Sequence, residues 1–209
     1  MLAAPESLLR VNKMRRLLVL PLLAALFAGC ASHPTSVVLG PQIRPGQCCA
    51  NESVSLDVVD ARVNSALLVL IEDGKRKEVP AYSDVAESMA GFIRDGLQQR
   101  GIATTGGNTL KVEIQQLGAT VSSGLLKHDT TVNAQLRFVV ETANGTVTRA
   151  FSGQRSDTKP KRPDVAAIEK EMNLLLGRVL TEALDDPQLL EAIKDSAPAA
   201  LVVEPILPL

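Results

Sequence analysis

Aromatic residues are in shortest supply. The chain has no tryptophan, one tyrosine (Tyr82) and four phenylalanines among 209 residues. Such a chain builds its core from aliphatic side chains, and platforms for stacking bases or sugar rings are scarce. An excess of one charge sign is also missing, with 22 Lys and Arg against 23 Asp and Glu. With no basic stripe, nucleic acid is not an expected partner. Histidine occurs twice, as His33 and His128. The two cannot form a zinc site without thiols or carboxylates at ligand spacing, and no His-Glu-x-x-His pattern is present. No metal or cofactor is therefore expected. No apolar run reaches the roughly 20 residues that a bilayer-spanning helix needs, and no repeat period signals a solenoid.

What the N-terminal part does carry is an address. Arg15-Arg16 precede an apolar stretch from Leu17 to Ala28, which runs into Gly29-Cys30. Charge, short apolar run and small residues are the layout of a secretory signal, here ending in a cysteine. The layout resembles the lipobox of bacterial lipoproteins, whose cysteine takes a diacylglycerol before the preceding segment is cut away. Phe27 departs from the usual Leu or Val three positions before the cysteine. Met14 sits directly before the arginines and offers a start, which would make residues 1–13 an extension. We expect residues 1–29 to be extension and signal, with Cys30 lipidated. Two or more acyl chains anchor stably, whereas one holds only marginally. Ala31 and Ser32 follow the cysteine where Asp would imply inner-membrane retention. The resemblance therefore implies the outer membrane, on its periplasmic face.

Without residues 1–30 the chain is slightly acidic and long enough for one domain plus a tether. Residues 30–51 contain Pro34, Pro41, Pro45, Gly40 and Gly46 and read as a flexible lipidated tether. Within it, adjacent Cys48 and Cys49 could close only a strained ring. Free thiols or bonds to a second chain are the alternatives, and we read the pair as an inert part of the tether. The last stretch, residues 196–209, is a Pro-rich tail.

Residues 52–195 carry the folded domain. Val54, Leu56 and Val58 alternate with polar residues as a half-buried strand. Leu67 to Ile71 reads as a second strand, turned at Asp73-Gly74 into a short return to Val79. Asp84 caps a helix whose apolar stripe is Val85, Met89, Phe92, Ile93 and Leu97, closed by Arg100-Gly101. Residues 109–153 read as a three-stranded antiparallel meander, with turns at Ser122-Ser123-Gly124 and Asn144-Gly145. Gly106-Gly107 is expected as a turn before it, and 153–162 as a polar loop after it. A long helix from about 164 to 185 follows, and then a short one begins at Asp186-Pro187. The expected fold is a two-layer α+β domain with a mainly antiparallel sheet and two amphipathic helices packed on one face.

The lipobox, the strand ending in Asp60-x-Arg62, the helix closing in Arg100-Gly101-Ile102, the Asn144-Gly145 hairpin and the C-terminal amphipathic helix together resemble the YajG family of bacterial lipoproteins. That resemblance spans roughly residues 14–195. It implies an outer-membrane lipoprotein without an established enzymatic activity.

The residues argue the same way. An enzyme needs a positioned acid, base, nucleophile or metal set. A hydrolase built on Ser122, His128 and Asp129 ranks last, because Ser122-Ser123-Gly124 lacks the flanking glycines of a nucleophile elbow. The expected role is a non-catalytic, periplasm-facing interaction or structural module, held to the membrane through Cys30 and meeting an envelope protein partner. The alternative is a small-molecule, lipid or peptidoglycan binding module, an accessory component of an envelope transport system. Candidate contact residues are Asp60 and Arg62, for which an internal ion pair or cap at the strand's exit is the preferred reading, and Leu125 and Leu126 at a hairpin tip.

Overall fold

The computed structural model describes residues 36–49, 51–160 and 164–195. The signal, Cys30, His33 and the tail from 196 lie outside them. The elements run β1 (Glu52–Asp60), β2 (Leu68–Glu72), β3 (Lys75–Val79), α1 (Val85–Gln98), β4 (Ile102–Ser123), β5 (Lys127–Thr142), β6 (Gly145–Pro160), α2 (Val165–Leu184) and α3 (Pro187–Lys194). All six strands form one sheet in the order β3-β2-β4-β5-β6, and β1 also pairs with β4.

The sheet is mixed: β2–β3, β4–β5 and β5–β6 pair antiparallel, in keeping with the mainly antiparallel expectation, while β1 and β2 pair parallel to β4. Strand β4 is 22 residues long, and its outer edge takes two partners in succession. β1 pairs parallel to its first half as far as Ile114, and β2 pairs parallel to its end from Ala119. Parallel neighbours need long connections, so nothing local in the sequence announces them. The expected meander is present as β4-β5-β6 and is longer than expected. Residues 153–160, expected as a loop, continue β6 against β5. This end of the strand is exposed on both faces and so shows no apolar alternation. Gly106 and Gly107 do not end a loop either. They lie within β4, in an excursion where Ser53 pairs with Ala103 and Val54 with Asn108. A Cβ on Gly107 would lie 2.1 Å from the Ser53 carbonyl oxygen, so only glycine fits.

A bulge fixes which side chains enter the core. Leu110, Val112 and Ile114 are buried, and so are Leu117, Ala119 and Val121. The two sets differ in parity because Gln115 is an extra residue between the Ile114–Leu136 and Gln116–Gln135 pairs. One inserted residue returns the alternation to the same face. These side chains meet Leu136, Phe138 and Phe151 in a single aliphatic core with two stacked phenylalanines, edge to face at 5.6 Å.

The helices begin as their sequences dictate. Asp84, Asp164 and Asp186 each accept a hydrogen bond from a first-turn amide. The short helix after Asp186-Pro187 is complete, so the helical elements among the described residues number three.

The tether expectation fails for residues 36–49. This segment is a strap laid along α2. The Val38 amide donates to Glu169 Oε2 (2.9 Å), Gly40 to Asn173 Oδ1 (2.9 Å) and Arg44 to Thr181 Oγ1 (3.1 Å). Two extended residues advance about 6.6 Å and four helical residues about 6 Å, so every second strap residue meets every fourth helix residue. Gly177 completes the row; a Cβ there would stand 2.5 Å from the Gln42 carbonyl oxygen. Cys48 and Cys49, expected as an inert pair or as bonds to a second chain, are joined to each other. The Cys49 amide donates to the Arg100 carbonyl (3.2 Å), and its side chain is buried in the core.

Candidate functional site

Asp60 and Arg62 sit where β1 ends and β2 has not yet begun. Arg62 Nε and Nη2 both donate to the Asp60 carboxylate at 2.8 Å, and Nη1 donates to the Leu117 carbonyl at 3.2 Å. The Arg62 side chain is only 4 % exposed. These hydrogen bonds from Arg62 hold the Asp60 carboxyl below its ordinary range, against a smaller opposing effect of burial. The pair thus spans the gap in the β4 edge. A hollow of about 300 Å³ lies beside it, lined in part by Asn64, Gln115 and Gln116.

Leu125 and Leu126 form the tip of the β4–β5 hairpin at 101 % and 86 % relative exposure. Gly124 closes the turn, its amide donating to the Lys127 carbonyl (2.8 Å). Single exposed apolar residues are ordinary on a protein surface. Two adjacent leucines standing clear at a tip have no folded-state contact to explain them.

Ser122, His128 and Asp129 do not converge. Ser122 and Asp129 are cross-strand partners, so their side chains share one face of the sheet. His128, the next residue, points to the other face and is buried. Asp129 accepts from Thr158 Oγ1 at 2.5 Å. Among the described residues no cluster of His, Cys, Asp and Glu has the makings of a metal site.

The sequence reading did not foresee the cleft that borders His128. It holds about 170 Å³ between the ends of β5 and β6 and the start of α2. Ion pairs rim it: Arg155 with Glu171 (2.9 Å) and Lys159 with Asp157 (3.0 Å). Lys159 holds the exposed Asp157 carboxyl below its ordinary range. The available signal was the alternating charge of residues 155–159, which reads as a loop until the strand is seen.

Just past the C-terminal end of α1, Arg100 is 2 % exposed. Its guanidinium donates to Asp185 Oδ1 (2.6 and 3.0 Å), the Gly96 carbonyl (3.0 Å) and the Arg44 carbonyl (3.0 Å). It ties together two helix ends and the strap, and each of its three nitrogens donates to a protein acceptor. No helix among the described residues is long and apolar enough to cross a membrane.

Comparison with known proteins agrees with this picture. The chain is 24% identical over 183 residues to the Uncharacterized lipoprotein YajG of Escherichia coli strain K12, covering 84% of this chain and 95% of that one. The same figures hold for the protein of that name in E. coli O6:H1. Among solved structures, protein XCC0632 from Xanthomonas campestris shares the fold. Its TM-score is 0.51 at 13% identity, over 75% of this chain and 95% of that one. Residues 41–194 match the family model described as "Uncharacterized lipoprotein", and the chain belongs to that lipoprotein family of the cell envelope.

Proposed function

We propose that the protein is anchored by lipid on Cys30 to the periplasmic face of the outer membrane, where it acts as a non-catalytic interaction module. On this reading the helices cover the sheet face that carries Leu110, Val112, Leu136 and Phe138 and leave the opposite face open. The open face carries a charged row, Lys111–Glu113–Arg137, paired at 3.2 and 3.3 Å. The observation that carries the reading is β6. It ends the sheet with 16 residues of strand, a length suited to an extended partner segment added along its edge. Arg149, Arg155, Asp157 and Lys159 along it discourage indiscriminate pairing, which is how a selective edge is built.

The small-ligand alternative has less behind it. The cleft at His128, about 170 Å³, falls below the roughly 300–1,000 Å³ of ordinary ligand pockets, and the hollow beside Arg62, about 300 Å³, stands at the lower limit of that range and is the more open of the two. Two measurements test the proposal. An alkyne-tagged fatty acid fed to cells should label the wild-type chain and not Cys30→Ala. A photo-crosslinking residue at Thr148 or Ser152, both exposed on β6, should give a discrete protein adduct in intact cells. Equal labelling of Cys30→Ala would remove the anchor, and the absence of any protein adduct from both β6 positions would remove the edge.

A further inference from the structure

The β4–β5 turn and the β2–β3 turn lie at one end of the sheet, since Glu72 pairs with Ser123. The strap enters the body from that same end. Val37 bridges Ala81 in parallel, its amide donating to the Pro80 carbonyl and its carbonyl accepting from Tyr82. It follows β3 in direction, away from the β2–β3 turn. The bridge lies two residues beyond Val79, which pairs with Leu68, itself paired with Ala119, so the level of Ala119 is already nearer the turn end than the entry. β4 runs four residue steps on from Ala119 to Ser123 and the turn carries Leu125 two steps further, so the leucines project up to about 20 Å beyond that level.

The chain between Cys30 and Ser36 is also six residue steps, which reach at most about 20 Å. The greatest reach of the anchor therefore does not exceed the projection of the tip by any wide margin. Because 36–49 are fastened to α2, the slack of the tether expected over residues 30–51 is not available. A body held this closely has its turn end nearest the bilayer. The outermost side chains there are Leu125 and Leu126, followed by Lys127. Charge does not drive the contact: Glu72 and Asp73 offset Lys75 and Arg76 on the neighbouring turn. The apolar pair carries it, with one cation placed at headgroup height.

We propose that Leu125 and Leu126 are a membrane-contacting tip, inserted into the surface of the bilayer that holds the lipid anchor. This rests on Cys30 being lipidated, and the test separates the two claims. The chain contains no tryptophan, so Leu126→Trp introduces a sole indole at the tip, and Thr146→Trp one at the far end of the sheet. Each full-length lipidated protein is reconstituted into phosphatidylethanolamine–phosphatidylglycerol vesicles, with and without brominated acyl chains. Flotation of the vesicles reads the anchor, and the indole reads the tip.

The expected result is co-flotation of both variants. Emission at 126 should shift to the blue and be quenched by bromine, while emission at 146 stays water-like and unquenched. Co-flotation with a water-like indole at 126 overturns the tip and leaves the anchor standing. A blue shift without bromine quenching means that the tip meets protein, such as a second copy, and also overturns the inference. Failure to float overturns the anchor, and the inference with it.

Discussion

The Leu117 carbonyl lies between the last β4 residue paired to β1 and the first paired to β2, on an edge with no strand opposite it. The nearly buried Arg62 guanidinium supplies the missing donor and is itself neutralised by Asp60. Exposed ion pairs contribute about 0–1 kcal/mol, but here one partner is out of water. Removing the other leaves a buried charge short of hydrogen bonds, at about 1–3 kcal/mol. Asp60→Asn should therefore lower unfolding stability by that order near neutral pH. The sign with pH follows from the depressed carboxyl pKa. Its contribution is complete above the unfolded value of about 3.9 and is lost as pH falls through the folded value. Denaturant midpoints of the two proteins should differ at pH 7 and converge in acid. A gap that persists unchanged at pH 3 would count against the pair as its source. The sequence displayed Asp60-x-Arg62 plainly, and an internal pair was one of its two readings. It could not display Leu117 as the third member, because that contact depends on how β1 and β2 divide one edge.

At the scale of elements, local chemistry announced whatever local chemistry decides. The aspartate caps, Asn144-Gly145, Asp73-Gly74 and the helical stripes all appear where their residues placed them. The strap did not, because Pro and Gly mark irregular chain whether it is free or docked. Its seat was present on α2 as the row Glu169, Asn173, Gly177 and Thr181, polar or small at every fourth position. Attention to the apolar stripe passes over such a row. Gly177→Ala tests the seat, and magnitudes decide its direction. Alanine favours a helix over glycine by about 0.8–1 kcal/mol. Against that stands a Cβ 2.5 Å from the Gln42 carbonyl oxygen, an overpacking that costs about 1–3 kcal/mol. The strap should yield before the helix does. Hydrogen exchange should then show lost protection at the amides of Val38, Gly40 and Arg44, with β4 and β5 unchanged. Retained protection at all three amides would show that the row is not what holds the strap.

For the whole molecule, on the proposed anchoring through Cys30, docking of the strap would shorten the tether and so bear on how the body stands on the membrane. With the β4–β5 tip at the bilayer as proposed, the strands would point away from it and the β6 edge would face sideways, available to envelope partners. The arrangement depends on proximity, so it depends on tether length. Inserting about 20 Gly and Ser residues before Ser36 lowers the tip's effective concentration at the bilayer roughly ninefold, by the −3/2 power of length. That is about 1.3 kcal/mol, comparable with the gain from seating one leucine, which reaches about 1.5–3 kcal/mol only on full burial. Leu125→Ser combined with Leu126→Trp leaves one apolar side chain at the tip and makes the balance sensitive. In that background the longer tether should reduce bromine quenching at position 126 while flotation stays complete, because the acyl chains are untouched. Quenching that is indifferent to tether length would mean that the tip holds the bilayer by its own affinity. The short reach from Cys30 would then have no part in orienting the domain.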